Sequence, residues 1–120
     1  MKKFLLGFVF AIQGLAVLVK TERNFKFHLF ALFCISIVGF LFKIEKTEWL
    51  AILLISSIIL TAEALNSAIE KLCNHLHPKI HPAIKSVKDI AAAAVLISSI
   101  IAFVIAGLIF LPRISDLLLD

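Results

Sequence analysis

The sequence predicts an all-α membrane protein with three transmembrane helices and an N-terminal amphipathic surface helix. Hydrophobic residues make up 62% of the 120 residues and charged residues only 17%, against roughly a quarter charged in soluble domains. Three apolar segments also approach the roughly 20 helical residues that cross the hydrocarbon core of a bilayer. The chain contains no internal repeat and no linker, so residues 1–120 are expected to form a single domain.

The predicted spans are residues 27–44, 49–72 and 90–111. The last of these contains no charged side chain. The middle span begins at Trp49, an aromatic residue typical of the membrane interface. Its apolar part ends at Ala62, but the helical pattern continues through EALNSAIEKL, residues 63–72. This helix is therefore expected to carry a polar end.

The N-terminal segment, residues 4–20, is predicted to form a helix. Its periodicity leaves open whether this helix lies along the membrane surface or enters the bilayer, and only the resemblance to a known family implies the surface position. A basic start followed by an apolar run also resembles a secretory signal peptide. Gln13 and Gly14 interrupt the apolar run, however, and no small-x-small cleavage site follows before Lys20. A retained helix is therefore favoured over a cleaved signal.

The segment between the second and third spans, residues 74–89, contains Pro78 and Pro82, which are expected to break any helix there. Cysteine and histidine residues at its start form a C-x-H-x-H-x₃-H string that could indicate zinc, comprising Cys73, His75, His77 and His81. No second cluster completes a tetrahedral set, so solvated histidines are the favoured interpretation. Cys34 lies in an apolar run, and both cysteines are expected to be reduced thiols.

The basic residues predict the orientation of the chain in the membrane. Of the 12 Lys and Arg residues, nine lie in the N-terminal 28 residues or at 71–88, and three lie on the opposite side. The N-terminus and the 71–89 segment are therefore predicted to be cytoplasmic. The net charge of +4 does not indicate a nucleic-acid partner, because the basic residues flank apolar runs.

The acidic residues divide between the two sides. Those predicted to lie outside are explained by a solvated surface; they are Glu45, Glu48, Asp116 and Asp120. The cytoplasmic side keeps Glu22, Glu63, Glu70 and Asp89, each at or near the membrane boundary. Ionisable groups at membrane depth are costly and usually mark function. The alternative for Glu70 is that the helix simply leaves the membrane there.

Glu63, Asn66 and Glu70 share one side of the second span. Carboxylates, an amide and lysines at one membrane face could serve phosphoryl transfer, which needs ligands for Mg²⁺, a cation for developing charge and a base for the attacking hydroxyl. The chain contains no GxxxxGK[ST] loop, no GxGxxG and no HRD motif. A phosphate site must therefore be built from side chains on different helices.

Three stretches carry a family resemblance: TERNFKFHL at 21–29, EALNSAIEKL at 63–72 and KSVKDIAAAAV at 85–95. Together they resemble the small bacterial integral-membrane diacylglycerol kinase and undecaprenol kinase family, over roughly residues 4–112. The resemblance implies an ATP- and Mg²⁺-dependent lipid kinase of the bacterial inner membrane, assembled as a homotrimer with shared active sites. Its substrate would be a lipid alcohol, either undecaprenol or diacylglycerol.

The resemblance also implies roles for individual residues. Glu63 matches the catalytic base that deprotonates the lipid hydroxyl. Glu22 and Glu70 match the carboxylates that hold Mg²⁺. The residues implied in nucleotide binding are Glu22, Asn66, Glu70, Lys79, His81, Lys88 and Asp89.

Three positions depart from the family pattern. Asn74 stands where many members carry an aspartate, which puts its contact with the adenosine in doubt. The arginine that many members carry at the start of the surface helix is absent. His28 stands where proteobacterial diacylglycerol kinases carry a glutamate, and this difference favours the undecaprenol kinase branch.

Two other functions remain open at the level of sequence. A small oligomeric ion transporter or channel could use Glu63 and Glu70 as ion-binding groups. A catalytically inactive family member would account for Asn74 and for the missing arginine. Ion flux without ATP would favour the transporter, and failure to bind Mg²⁺-ATP would favour the inactive member.

Overall fold

The structure, a computed structural model, describes residues 1–119, and Asp120 lies outside the described range. It contains four α-helices, comprising α1 (Lys2–Thr21), α2 (Arg23–Leu41), α3 (Lys46–Leu76) and α4 (Pro82–Leu119). No strand occurs within residues 1–119. The predicted all-α class is confirmed.

All four helices are long and apolar enough to cross a membrane. Most large apolar side chains are exposed on the isolated chain, as expected of a membrane protein whose outer surface faces lipid. Helix α1 contacts the rest of the chain mainly through α2 and contains no buried residue. Its placement on the membrane surface, together with a count of three spans, stays a prediction.

The helix boundaries differ from the predicted spans: α2 ends at Leu41 rather than at residue 44, because the chain turns at residues 42–43, and the other two spans are longer than predicted. Helix α3 runs past residue 72 to Leu76, because the break at 77–81 comes only where Pro78 prevents its continuation. Pro82 does not break a helix. It is the first residue of α4, where its missing N–H costs no hydrogen bond. Helix α4 continues through Pro112 to Leu119 instead of ending at residue 111.

Helix α3 is the central element and packs against both α2 and α4. Five of its six buried residues recur every three or four positions, in the order Ile52, Ile55, Ile59, Glu63 and Ser67. This row, here called the α3 stripe, starts as a purely apolar surface and finishes as a polar one. The bundle therefore has an acidic end, which carries Glu22, Glu63 and Glu70, and a tryptophan end, which carries Trp49.

The tryptophan end holds the main apolar cluster. Ile44 and Ile52 pack there against Ile109 and Phe110 of α4. The turn into α3 is compact, because Lys43 adopts a left-handed φ of 50° and the amide of Ile44 donates to the carbonyl of Gly39 at 3.1 Å. This turn brings the Trp49 ring against α2.

Glu48 and Arg113 form a bidentate ion pair at the same end. The two guanidinium nitrogens lie 2.9 and 2.7 Å from the two carboxylate oxygens of Glu48. Glu48 also caps α3 by accepting from the Glu45 amide at 2.8 Å. Sequence reasoning assigned Glu48 to solvated surface, but the side chain is partly buried and joins the beginning of α3 to the last turns of α4.

We predict that Gly39→Ala destabilises the bundle. An added Cβ would lie 2.9 Å from the Trp49 ring and 3.0 Å from Ile44 Cδ1, so side chains must shift. Overpacking of this kind costs about 1–3 kcal/mol. The measurement is thermal unfolding of the purified protein in detergent.

Gly107→Ala is the matched control. Its added Cβ would meet only Leu111 Cδ1, at an ordinary contact distance of 3.7 Å. Replacing a helical glycine by alanine there is expected to leave stability unchanged or raise it by up to about 1 kcal/mol. Equal melting temperatures for the two variants would show that Gly39 is not required for the packing of Trp49.

Candidate active site

Glu22 lies at the junction between α1 and α2. It is an extended residue, with φ −95° and ψ 107°, that ends the first helix and precedes the second. Its Oε1 accepts a hydrogen bond from the Lys71 ammonium on α3, in a salt bridge. The Thr21 hydroxyl lies 3.0 Å from the same oxygen. A single carboxylate thus joins the α1–α2 junction to the polar end of α3.

The charge on this carboxylate is stabilised by its neighbours. The hydrogen bond from Lys71, followed by that from Thr21, lowers the pKa of Glu22 below its ordinary value of 4.5. Ser67 contributes a smaller effect in the same direction. Since Ser67 and Lys71 are one helical turn apart, Glu22 lies against one defined face of α3.

Glu63 is the most deeply placed carboxylate in the described chain, with 3% of its surface exposed. It lies on the α3 stripe, one turn beyond Ile59 and one turn before Ser67. Within residues 1–119 no Lys, Arg or His nitrogen lies within salt-bridge distance of it. A buried carboxylate without a cationic partner is costly in a structural role alone.

An apolar cavity of about 350 Å³ lies between α2, α3 and α4. Its walls include Ile52, Ile55 and Ile59 of the α3 stripe, so helix periodicity places Glu63 just beyond its end. The polar residues of its lining are His28, Ser56 and Ser99. His28 is half-buried and packs edge-on against Phe27, with ring centroids 5.7 Å apart.

Asn66 faces a different space from this cavity. It is half-buried and lines an open groove of about 490 Å³ between α3 and α4, opposite Ile90, Ala91 and Ala94. The small side chains of α4 leave this groove wide. Glu70, one turn further along α3, is exposed.

The beginning of α4 faces the end of α3. Lys88 Nζ donates to Asn74 Oδ1 at 2.9 Å, and this bond spans the break between the two helices. Asp89 accepts from Lys85 at 2.6 Å, in a pair whose two side chains are both largely exposed. Lys88 and Asp89 are therefore neighbours in sequence with different partners.

The segment 77–81 presents Lys79 and His81 to solvent. His81 Nδ1 accepts from the Ala83 amide at 3.2 Å, a contact at the first turn of α4. The expectation of solvated histidines agrees with the structure. Across residues 1–119 no three His, Cys, Asp or Glu side chains are close enough to form a metal site, and the Cys34 and Cys73 thiols are free.

Residues 9–110 match the family described as prokaryotic diacylglycerol kinase. The chain belongs to that family. It is 39% identical to a protein named undecaprenol kinase from Bacillus subtilis, over 94% of this chain and 92% of that protein. It is 30% identical to a protein named diacylglycerol kinase from Synechocystis sp., over 95% of this chain and 66% of that protein.

Membership of the prokaryotic diacylglycerol kinase family confirms the resemblance seen in the sequence, and with it the class of enzyme, a lipid kinase. A third relative, named diacylglycerol kinase, comes from Helicobacter pylori and is 38% identical over 64% of this chain and 59% of its own length. The apolar helices agree with a membrane-bound member of this family.

The structure brings some of the predicted site residues together and separates others. Glu22 meets the face of α3 that carries Ser67 and Lys71, whereas Glu70 is exposed and Glu63 lies deeper on the same helix. Lys88 approaches α3 through Asn74, while Asp89, Lys79 and His81 point to solvent. Sequence reasoning missed the contacts of Lys71, Thr21 and Ser67. Of these three residues, only Lys71 could have been singled out from the sequence, because it is a basic residue that directly follows the acidic Glu70 at the polar end of α3.

The residues present fit a Mg²⁺ ion. Carboxylate oxygens are its preferred ligands, and one or two of them usually suffice when substrate phosphates and water complete the shell. Glu22 is already paired with a cation, the Lys71 ammonium, and Glu70 is the residue directly before Lys71. The absence of a three-residue cluster in residues 1–119 is therefore compatible with a shared metal–nucleotide site.

We predict that the contact between Glu22 and Lys71 makes stability depend on pH. Because the pKa of Glu22 is lower in the folded state than its ordinary value of 4.5, the contact stabilises the fold above that value. The stabilisation is lost as the pH falls through the lower, folded-state pKa. The melting temperatures of wild type and Lys71→Met in detergent should differ at neutral pH and converge in acid.

Lys85→Met is the control, since it removes an exposed ion pair on a single helix, worth only about 0.3–0.5 kcal/mol. Its melting temperature should stay close to that of the wild type at every pH. A difference between Lys71→Met and wild type that persists unchanged into acid would contradict the role of the Glu22 carboxylate.

Proposed function

We propose that the protein is an ATP- and Mg²⁺-dependent kinase that phosphorylates a membrane lipid alcohol at the cytoplasmic surface of the bacterial inner membrane. The observation that carries the proposal is the position of Glu63, a buried carboxylate where an apolar intramembrane cavity meets the acidic end of the bundle. At this place a hydroxyl on a hydrophobic molecule and a water-soluble phosphate donor can meet.

Glu63 is the proposed general base. It takes the proton of the lipid hydroxyl as that oxygen attacks the γ-phosphorus of ATP. A new O–P bond forms, the bond from the γ-phosphorus to the bridging oxygen of ADP breaks, and ADP leaves with that electron pair. The position suits this role, because the Glu63 carboxylate is buried and has no cationic partner within residues 1–119, so its oxygens are free to receive the hydroxyl proton.

The remaining predicted residues are assigned to the nucleotide and its metal. Glu22 and Glu70 would hold Mg²⁺, which offsets the negative charge of the phosphates when bound. Lys88 and Asp89 would contact the nucleotide from the start of α4, and Asn66 would contact it from the groove between α3 and α4. Lys79 and His81 are exposed and free to approach ATP from the connecting segment.

Undecaprenol is the favoured alcohol, with diacylglycerol as the alternative. The 39% identity to a protein named undecaprenol kinase extends over 92% of that protein, whereas the relatives named diacylglycerol kinase are matched over 66% and 59% of theirs. His28 at the cavity wall supports the same preference. Side-by-side assays of both alcohols with labelled ATP distinguish them.

A homotrimer is part of this proposal. Exposed apolar side chains cover α2, α3 and α4 of the isolated chain, and the nucleotide ligands lie on an open surface rather than in a closed pocket. Neighbouring subunits would cover part of that surface and enclose the nucleotide.

The proposed orientation places the N-terminus and residues 71–89 in the cytoplasm, in keeping with the distribution of basic residues.

We predict that Glu63→Gln abolishes kinase activity, because the amide cannot accept the hydroxyl proton. A loss of a general base typically lowers the rate about 10²–10⁴-fold. The assay measures transfer of labelled phosphate from ATP to undecaprenol and to diacylglycerol in mixed micelles. Asp116→Asn, an acid-to-amide change on an exposed residue of α4, is the control and should keep full activity.

Full activity in a correctly assembled Glu63→Gln protein would exclude Glu63 as the base. Ion flux through sealed vesicles without ATP, lost in the same variant, would instead support the transporter. A wild-type protein that binds no Mg²⁺-ATP would support the inactive family member.

We also predict that filling the apolar cavity weakens lipid use without affecting ATP. Ala102 lines the cavity, so Ala102→Phe should raise the apparent KM for the lipid about tenfold and leave the KM for ATP unchanged. Ile101→Phe places the same ring one residue away on an exposed surface of α4 and is the matched control. Equal lipid KM values in the two variants would mean that the cavity does not hold the lipid chain.

A further inference from the structure

Lys71 contacts Glu22, one of the two carboxylates proposed above to hold Mg²⁺. Its ammonium group contacts Oε1 of Glu22 and lies 3.4 Å from the Thr21 hydroxyl. Its side chain is 52% exposed, while that of Glu22 is 22% exposed. The cation is therefore the mobile partner of the pair and the carboxylate the fixed one.

A divalent cation and the Lys71 ammonium cannot share this oxygen without strong repulsion. A metal–oxygen bond to Mg²⁺ is about 2.0–2.1 Å long, so an ammonium hydrogen-bonded to the same oxygen would lie only a few ångströms from the ion. The attraction that Lys71 gains from Glu22 is modest, because the pair is partly solvated. Lys71 can consequently leave at small cost, carried on its flexible four-carbon side chain.

We propose that Lys71 is a displaceable cation. Its ammonium group holds Glu22 against α3 until a divalent cation binds, and the divalent cation must displace that ammonium group from the carboxylate. This inference rests on the proposed function, because it takes Glu22 and Glu70 as the metal carboxylates. Lys71 is a positioning residue rather than a catalytic one. It keeps the α1–α2 junction against α3 in the metal-free protein and lowers the affinity for the metal in return.

The alternative is that the ion pair is permanent. In that case the metal would bind with Lys71 still in contact with Glu22, and removing the lysine would misplace the carboxylate. The two possibilities predict opposite changes in metal affinity. If the pair is permanent, the Lys71→Met variant should bind metal more weakly than the wild type. If Lys71 is displaced, the variant should bind metal more tightly.

The test is direct binding of Mn²⁺, a paramagnetic substitute for Mg²⁺, followed by electron paramagnetic resonance on the full-length protein in lipid with a non-hydrolysable ATP analogue. Lys71→Met should bind Mn²⁺ about tenfold more tightly, because a positive charge that competes for the same carboxylate is removed. Lys71→Arg should resemble the wild type. Lys85→Met, which loses a more exposed lysine paired with Asp89, should also resemble it.

Unchanged or weaker Mn²⁺ binding by Lys71→Met would overturn the inference. An equal gain in Mn²⁺ affinity in Lys85→Met would also overturn it, because the gain would then come from the change in net charge and not from the contact with Glu22. Glu22→Gln and Glu70→Gln separate this failure from a failure of the proposed function. If both lose Mn²⁺ binding while Lys71→Met gains nothing, only the role of Lys71 is wrong. If neither changes Mn²⁺ binding, the metal assignment itself is wrong.

A second measurement needs no variant. An amine-reactive reagent, quantified by mass spectrometry, should label Lys71 faster once Mg²⁺ and the ATP analogue are added, because the displaced ammonium is no longer held by Glu22. Labelling of Lys46, an exposed lysine at the tryptophan end of the bundle, is the internal reference and should not change. A Lys71 labelling rate that Mg²⁺ leaves unchanged or lowers would contradict displacement.

Discussion

The fold and the candidate site depend on one constraint, the burial of a single row of α3 against its two neighbouring helices. Isoleucines fill this row near Trp49, and the same row continues, at the same helical spacing, into Glu63 and Ser67. The packing that stabilises the bundle therefore also brings a carboxylate to the end of an apolar cavity. A lipid kinase needs this juxtaposition, since its two substrates prefer different solvents.

The sequence was sufficient for the helices and for the family. The apolar runs are long, so the all-α class followed from local pattern. The lipid kinase class followed from the resemblance of EALNSAIEKL and two other stretches to a known family. The helix ends were harder to predict. Pro82 was expected to break a helix and instead begins α4, because a proline interrupts a helix only where its amide and ring meet a preceding turn.

The contacts between helices could not be predicted, because periodicity fixes the face of a helix but not its partner. Glu48 was assigned to solvent and is held by Arg113, a residue 65 positions away. Lys71 was counted only as a basic residue near the membrane, yet it pairs with Glu22 across 49 positions. Asn74, which the sequence marked as a departure from the family, lies within hydrogen-bonding distance of Lys88.

The bidentate pair between Glu48 and Arg113 has a mechanical consequence for the opposite end of the bundle. It fastens α3 to α4 beside Trp49, and the segment 77–81 connects the same two helices at their other end. About 25 residues of helix, roughly 38 Å at 1.5 Å per residue, separate this fastening from the polar end of α3. A tilt of only about 4° about such a pivot moves the far end by about 2.6 Å, roughly the width of one atom layer. Packing between α3 and α4 limits such a tilt, but any change in helix inclination about this pair displaces the carboxylates more than the residues beside Trp49.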